Sequence, residues 1–436
     1  MSAPIDPSIL PQTAAISANG RLSIGGCDLE TLAEEFGTPL FVYDEIDIRS
    51  RCAAYAEAFG ADAVFYASKA FSGRAISEII HDEGLSIDVS TAGEYHAARR
   101  GGFAPSRVLF HGNNKSNDEL AYALHDGVGR IVVDSFDELD RIETLVGSGL
   151  PCPRLLVRVT PGIEAHTHAY IETGIEDTKF GFQLRSGAAH HAVERIANNP
   201  ALHFVGLHCH IGSQIFSPDP FVRVTAIMAE LVEDLTAATG AIVTELNLGG
   251  GLGIAYTATD NPMSIAEYAD VLRAGIVDAW ADRDLGSPPR LFVEPGRSIV
   301  GTAGCTLYRV GTIKHVDGAR TYVSVDGGMS DNIRHALYGA AYEAFVPSRA
   351  NDSRAAQATI AGKHCEQGDL IATDTPVPAD LRIGDILCTP VTGAYGYALA
   401  SGYNEVPRPA VVIVRDGKAR IAFRRETTAD LARLEP

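Results

Sequence analysis

The feature that most constrains this chain is a rhythm: from residue 64 to residue 294, short apolar runs alternate with helix-length amphipathic stretches. The runs are VFYA (64–67), SIDV (86–89), VLFH (108–111), RIVVD (130–134), RLLVRV (154–159), FVGLHCH (204–210), ELNL (245–248) and RLFVE (290–294). Runs this short and apolar suit strands buried on both faces, and a parallel sheet needs a crossover helix between each pair. Eight β/α units over about 250 residues predict a TIM barrel. A doubly wound sheet fits less well, because the first βα turn lacks the GxGxxG fingerprint that such folds carry early.

The rhythm places domain boundaries. Residues 45–300 are read as the barrel. After Gly301 the texture changes to short β-like runs (TLYRVGTIKHV, TYVSVDG, DLIATD, GDILCTP, PAVVIVRDG) broken by Gly, Pro and Asp turns, so residues 301–436 are expected to form a mostly β domain. Residues 1–44, rich in Pro, Ser and Ala at first and then carrying a helical patch at TLAEEFG and the β-like LFVY, read as a lead-in. The fold class is α/β, a (β/α)8 barrel with a mostly β C-terminal domain.

Composition excludes several functions. A net charge of −19 supplies no basic surface for nucleic acid. No apolar run nears the roughly 20 residues needed to span a bilayer, and the opening MSAPIDPSIL has no basic n-region before an apolar stretch, so a cytoplasmic protein is expected. Seven cysteines at 27, 52, 152, 209, 305, 365 and 388 form no CxxC pair, which suits reduced thiols better than a disulfide framework or a thiolate zinc site.

Reactive residues fall at the carboxyl ends of the expected strands, where barrel enzymes build their sites. Lys69 follows the first strand in YASKAF; it reads either as a solvated loop lysine or as an amine that burial and neighbouring cations make nucleophilic. His208 and His210, in HCHIGSQ, lie two residues apart and so share a strand face. They could pair on a metal, yet no third ligand stands at zinc spacing nearby and no metal is expected. Stacking of His210 on a flat cofactor, with the Ser213 hydroxyl on its phosphate, uses the same motif more fully. In NLGGGLG, residues Gly249, Gly250, Gly251 and Gly253 are either a tight barrel turn or a phosphate cradle in the loop after strand seven. Glu294 and Arg297, in EPGR, read as a plain surface pair or as a carboxylate for a pyridine nitrogen with an arginine for a carboxylate. Asp88, His111 and Arg158 also stand at strand ends, where they line the site or pack the rim.

Taken in order, YASKAF, HCHIGSQ, NLGGGLG and EPGR, followed by MSDNIRHALYGA, HCEQGD and GAYGYAL, resemble the barrel-class pyridoxal-phosphate (PLP) decarboxylases over nearly the whole chain, and the C-terminal motifs resemble the diaminopimelate decarboxylase family. The resemblance implies pyridoxal 5'-phosphate as cofactor, carried on Lys69 as a Schiff base, with His210 stacked on its ring and Glu294 at the pyridine nitrogen. Ser213, Gly249, Gly250, Gly251, the Gly296–Arg297 backbone and Tyr395 would surround the phosphate. Arg297, Arg334, Tyr338, Glu366 and Tyr395 would grip the far end of the substrate, and Cys365 would donate the proton. It further implies that both chain ends build the β domain, and that an obligatory homodimer shares its sites through the Cys365–Glu366 segment.

The implied reaction is decarboxylation of meso-2,6-diaminopimelate to L-lysine and CO2. Other decarboxylases of this fold act on ornithine, arginine, lysine or a D-amino acid; those taking a bare amine carry an Asp after the Cys and another acidic residue in place of the arginine segment. Glu294 speaks against a racemase, which places an arginine at the pyridine nitrogen. Two departures stand out. Ile333 precedes Arg334 where the family commonly has proline, and SGRAI follows YASKAF where relatives carry larger apolar residues.

Overall fold

A computed structural model describes residues 5–163, 178–281 and 283–436. The chain divides into two compact units, one comprising residues 52–253 with 262–296 and the other residues up to 51, 254–261 and 297–436.

In the first unit the apolar runs become parallel strands β1 (Phe65–Ala67), β2 (Ser86–Val89), β3 (Val108–Phe110), β4 (Arg130–Val133), β5 (Arg154–Thr160), β6 (His203–His208), β7 (Glu245–Asn247) and β8 (Arg290–Phe292). Each pairs with its sequence neighbours. A parallel Val64–Val293 bridge, with Phe65 N–H donating to Val293 O at 2.9 Å and Val293 N–H to Ala63 O at 3.1 Å, joins β1 to β8 and closes the barrel. Closure removes both edges, so every strand has two neighbours. The polar residue that ends several of the runs, such as His111 or Asp134, lies just past its strand, at the barrel's carboxyl rim.

Among the described residues seven helices connect the strands: Arg74–Asp82, Ala92–Arg100, Asn117–Asp126, Phe136–Gly147, Ala188–Ala197, Asp219–Thr239 and Ile265–Ala281. Among the described residues four of the βα loops finish on a hydroxyl cap, with Thr91, Ser116, Ser135 and Ser264 each accepting the N–H of a glutamate three residues on. Such a cap contributes about 1 kcal/mol and fixes where the loop stops and the helix starts. The eighth place in the outer ring is taken from before β1: Tyr55 and Phe59 of the helix Glu45–Phe59 stack at 6.1 Å, and Phe59 meets Tyr268 at 5.8 Å.

Inside the barrel the two-residue period sorts side chains by height. Phe65, Leu109, Val132, Leu156, Val205 and Phe292 form the apolar middle. Below it Arg130, at the start of β4, donates Nε and Nη2 to the Glu245 carboxylate at 2.7 and 2.8 Å, with its guanidinium 5.5 and 5.2 Å from the rings of Phe65 and Phe292. This buried bidentate pair plugs the amino end.

The second unit holds an eight-stranded sheet. Its strands are β9 (Gly304–His315), β10 (Thr321–Val325), β11 (Ala356–Ala361), β12 (Leu370–Val377), β13 (Ile386–Thr389), β14 (Ala410–Arg415) and β15 (Lys418–Phe423), plus the amino-terminal strand Leu40–Asp44. That last strand is the LFVY run. It lies between β9, antiparallel, and β14, parallel, and all five of its residues are buried. Three pieces that the sequence rhythm assigned to the barrel, residues 45–51, 254–261 and 297–300, fall in this unit instead. For the middle piece the reason is burial, because Ile254, Ala255 and Tyr256 pack in the β-unit core with Tyr308, Tyr342 and Val412.

Removing one partner of the Arg130–Glu245 pair leaves a charge without compensation inside the barrel. Glu245→Leu should therefore lower barrel stability by about 3–5 kcal/mol, while the double variant Arg130→Met/Glu245→Leu should recover most of the loss. Urea unfolding of the wild type and the two variants measures both; equal losses in the single and double variants would show that packing, not charge, dominates.

Candidate active site

The alternation that fills the barrel also builds its mouth. Two residues beyond Leu109, Val132, Leu156 and Phe292 come His111, Asp134, Arg158 and Glu294, which therefore continue the inward face at the carboxyl rim. Glu294 is the centre. Its Oε1 accepts from His111 Nε2 at 2.8 Å and from Asn247 Nδ2 at 2.7 Å, and its Oε2 faces His208 Nε2 at 3.3 Å. Asn247 is fixed in turn, its Oδ1 accepting the Gly249 N–H at 2.9 Å.

Burial pushes the Glu294 carboxyl up, but His111 and His208 outweigh it and hold the group well below the usual carboxylate range. Burial also pushes His208 down to about 4, against the pull of Glu294. His208 is then a neutral imidazole at physiological pH, donating its Nε2–H to Glu294 and leaving a bare, buried Nδ1 with no partner. The product is a buried carboxylate that is anionic and aimed. Asp88, at the end of β2, behaves oppositely: burial, helped by Glu294 and Glu94, pushes it up to about 7 against the pull of His111 and Lys69.

The histidines separate. His208 joins His111 and Glu294, whose donor atoms lie within 4.8 Å of one another, a geometry able to take a metal ion. A metal on His208 Nε2 would force a proton onto Nδ1, where nothing accepts it. The trio is better suited to a protonated ring nitrogen. His210, the other member of the pair, turns to the glycine loop, its Nδ1 accepting the Gly250 N–H at 3.3 Å; burial and the charges of Lys69 and Arg158 hold its pKa well below normal.

Lys69 sits in a single 3-10 turn, Ser68–Ala70, directly after β1 and is exposed between two buried neighbours. The glycine loop follows β7. Gly249 and Gly251 have φ of +67° and +123°, and a Cβ on Gly249, Gly250 or Gly251 would fall 2.8, 2.4 or 2.8 Å from the carbonyl oxygen of Cys209, Glu294 or Gly212. A Cβ on Gly296 would meet those of Ala67 and Ala70 at 3.0 Å. Close packing alone thus demands glycine at these places. The loop carrying Ser213 is laced to the same turn, Ile215 N–H donating to Gly251 O at 2.9 Å and Gly253 N–H to Ile215 O at 3.0 Å. A carboxylate for a ring nitrogen, an exposed lysine and a glycine turn at the same rim together fit a pyridine-aldehyde phosphate.

The β unit brings together a second group, Arg297, Arg334, Tyr338 and Tyr395. The Arg297 guanidinium lies 4.9 Å from the Tyr395 ring; that of Arg334 lies 5.6 Å from Tyr395 and 5.5 Å from Tyr338. Both arginines are buried. Tyr395 holds φ of +59°, an unusual backbone for a tyrosine at the place where it meets two cations. Ile333, the departure from the family's proline, has φ of −73°, within the range a proline ring imposes, so the path into Arg334 is preserved. Cys365 and Glu366 stand apart from this group on an exposed loop, where Glu366 accepts from the Tyr403 hydroxyl. Asp369 ties that loop down by accepting the N–H groups of His364 at 2.7 Å and Met329 at 2.6 Å.

Sequence reasoning did not single out Asn247, Tyr256 or Tyr342, and it considered His208 only as a metal ligand. Counting two residues on from Glu245 would have found Asn247. Nothing local marks the tyrosines.

Residues 45–301 match the family described as pyridoxal-dependent decarboxylase, pyridoxal binding domain. Similar curated proteins include the diaminopimelate decarboxylases of Mycobacterium tuberculosis, 48% identical over 98% of either chain, and of Bacillus subtilis, 45% identical over 97% of either chain. A crystal structure of diaminopimelate decarboxylase from M. jannaschii in co-complex with L-lysine superposes with a TM-score of 0.90 at 31% identity, covering 98% of each chain. A lysine/ornithine decarboxylase from Vibrio vulnificus, at 22% identity and a TM-score of 0.74, shares the fold. On sequence and architecture together, the chain belongs to the pyridoxal-dependent decarboxylases and, among them, to the diaminopimelate decarboxylase family.

Proposed function

We propose that this chain decarboxylates meso-2,6-diaminopimelate to L-lysine and CO2, with pyridoxal 5'-phosphate as cofactor. One observation carries the choice of substrate. Arg334 is 7% exposed and, among the described residues, has no carboxylate partner, in a chain whose net charge is −19. A buried guanidinium left without an anion is suited to receive one from a ligand, and diaminopimelate brings a second carboxylate that ornithine and lysine lack.

Lys69 would hold the cofactor covalently, and Glu294, kept anionic by its imidazole and amide donors, would keep a proton on the pyridine nitrogen. His210 would cover one face of the ring. Ser213 and the backbone of Gly249, Gly250, Gly251, Gly296 and Arg297, with Tyr395, would bind the phosphate. When bound, the cofactor supplies an electron sink for the pair left on the α-carbon as CO2 departs. Arg297, Arg334, Tyr338 and Tyr395 are assigned to the far end of the substrate, Glu366 to its distal amine, and Cys365 to returning a proton to the α-carbon.

A homodimer belongs to the same reading. Its support is the Cys365–Glu366 loop, tightly tied at its base yet exposed at its tip on its own chain, as expected of a segment that serves the site of a second copy. A cytoplasmic setting is likewise proposed, supported by cysteines that form no disulfide among the described residues. No helix among the described residues is long and apolar enough to cross a membrane.

Purified protein supplied with pyridoxal phosphate and meso-diaminopimelate should release stoichiometric L-lysine and CO2, and leave ornithine, arginine and D-lysine untouched; consumption of one of these instead would overturn the assignment of Arg334. Borohydride should fix the cofactor to Lys69, as peptide mass reveals, whereas Lys69→Ala should take up cofactor that is not fixed and should not turn over. In the cofactor-free protein, His208 titrates at about 4 when folded against an ordinary 6.5. The stability from burying it neutral is full above pH 6.5 and fades as pH falls toward 4, by at most about 1.4 kcal/mol per pH unit. His208→Gln should flatten urea unfolding midpoints across that window by one proton; an unchanged slope would mean that His208 is not buried neutral.

A further inference from the structure

The substrate arginines are enclosed by two tyrosines that the proposed reaction leaves unused, Tyr256 and Tyr342. Tyr342 is buried, and its hydroxyl accepts from Arg334 Nε at 3.0 Å. Tyr256 is also buried; its hydroxyl accepts from Arg297 Nη1, and its ring lies 5.7 Å from the Arg297 guanidinium and 5.4 Å from that of Arg334. The two rings meet edge to face, 5.5 Å apart at 85°. Each tyrosine thus braces one arginine and the other tyrosine.

Two guanidiniums around the same two rings, Tyr256 and Tyr395, repel each other, and burial strengthens the repulsion. The negative faces of the rings offset it without neutralising the Arg334 charge, which a carboxylate would do. The bond to Nε also fixes orientation. A guanidinium presents its donors in a rigid fork, so pinning the Nε of Arg334 to Tyr342 directs the Nη1–Nη2 edge, for which no protein acceptor is present among the described residues. With Nε engaged, that edge is the one left to take a carboxylate bidentately.

We propose that Tyr256 and Tyr342 are positioning residues that set substrate specificity: they hold Arg334 charged, unneutralised and aimed beside a braced Arg297, so that the pocket takes a distal carboxylate and repels a substrate whose far end is an ammonium alone. The inference rests on the reading of Arg334 as the receiver of the distal carboxylate and names what makes it selective. A phenylalanine at either place keeps the ring and removes the bond that aims the arginine, so affinity for a distal carboxylate falls while reaction at the other end of the substrate is spared.

The test uses the holoenzyme and its Tyr342→Phe and Tyr256→Phe variants. Two probes differ at the far end: pimelate, which has the distal carboxylate and no amine, and L-lysine, which has the distal amine and no distal carboxylate. Calorimetry should show the Kd for pimelate rising about tenfold in Tyr342→Phe, with that for L-lysine unchanged. The KM for meso-diaminopimelate should rise in parallel while kcat stays within about twofold. Tyr256→Phe should show the same split to a smaller degree, since it leaves the Arg334–Tyr342 bond in place. Equal weakening of pimelate and L-lysine, or pimelate binding unchanged in both variants, would overturn the proposal. Calorimetry on the wild type needs no turnover: pimelate binding that depends on Tyr342 in a protein releasing no lysine from diaminopimelate would sustain the inference and refute the proposed reaction.

Discussion

Everything in the barrel unit depends on closure. The backbone bonds between Ala63–Phe65 and Val293 join the first strand to the last, and a closed sheet with a strict two-residue period has an inside on which side chains are stacked by their position along each strand. Arg130, Val132 and Asp134 occupy three heights of one strand; Arg154, Leu156 and Arg158 repeat the pattern on the next. Charged residues are tolerated at the two ends because each is paired there, Arg130 with Glu245 below and Arg158 with Asp134 above. Between them lies a wholly apolar layer that separates the two sets of charges.

That layering explains how one carboxylate can be both buried and ionised. The Glu294 charge is supported first by His111 and then by the directed N–H groups of His208 and Asn247, while burial drives His208 itself toward the neutral form. Fixed dipoles do not need to reorganise when a ligand arrives, whereas a salt bridge would have to break. The β unit solves the converse problem with aromatic rings, keeping Arg334 charged without an internal anion among the described residues. Both devices leave a charge incompletely satisfied by the protein itself, and in both that charge is what a ligand would meet.

The sequence was legible wherever a period carried the information. Eight apolar runs gave eight strands, and the strand-end position of Lys69, His210 and Glu294 followed from them. The glycines of NLGGGLG were legible as a tight turn, and the close approaches at Gly249, Gly250 and Gly251 supply the physical reason. What escaped was tertiary. Tyr256 stands within the chain stretch that the rhythm gave to the barrel, yet it packs in the other unit, because Ile254 to Tyr256 found an apolar core there. Tyr342 lies beyond a short helix in a segment without periodicity. His208 was misleading for another reason: its two-residue spacing from His210 is real, but the strand ends between them, and the two rings part company.

The amino-terminal strand Leu40–Asp44 has a consequence for how the polypeptide is made. Its two neighbours begin at Gly304 and Ala410, so a ribosome releases this apolar segment long before either partner exists. The barrel strands, by contrast, each find a neighbour in the next unit to emerge. Synthesis therefore passes through a stage in which the barrel can assemble while the strand in the centre of the other sheet waits, unpaired and prone to stick to its like. The β sheet is completed only when the strand Ala410–Arg415 has left the tunnel, which ties the integrity of Leu40–Asp44 to a segment made far later.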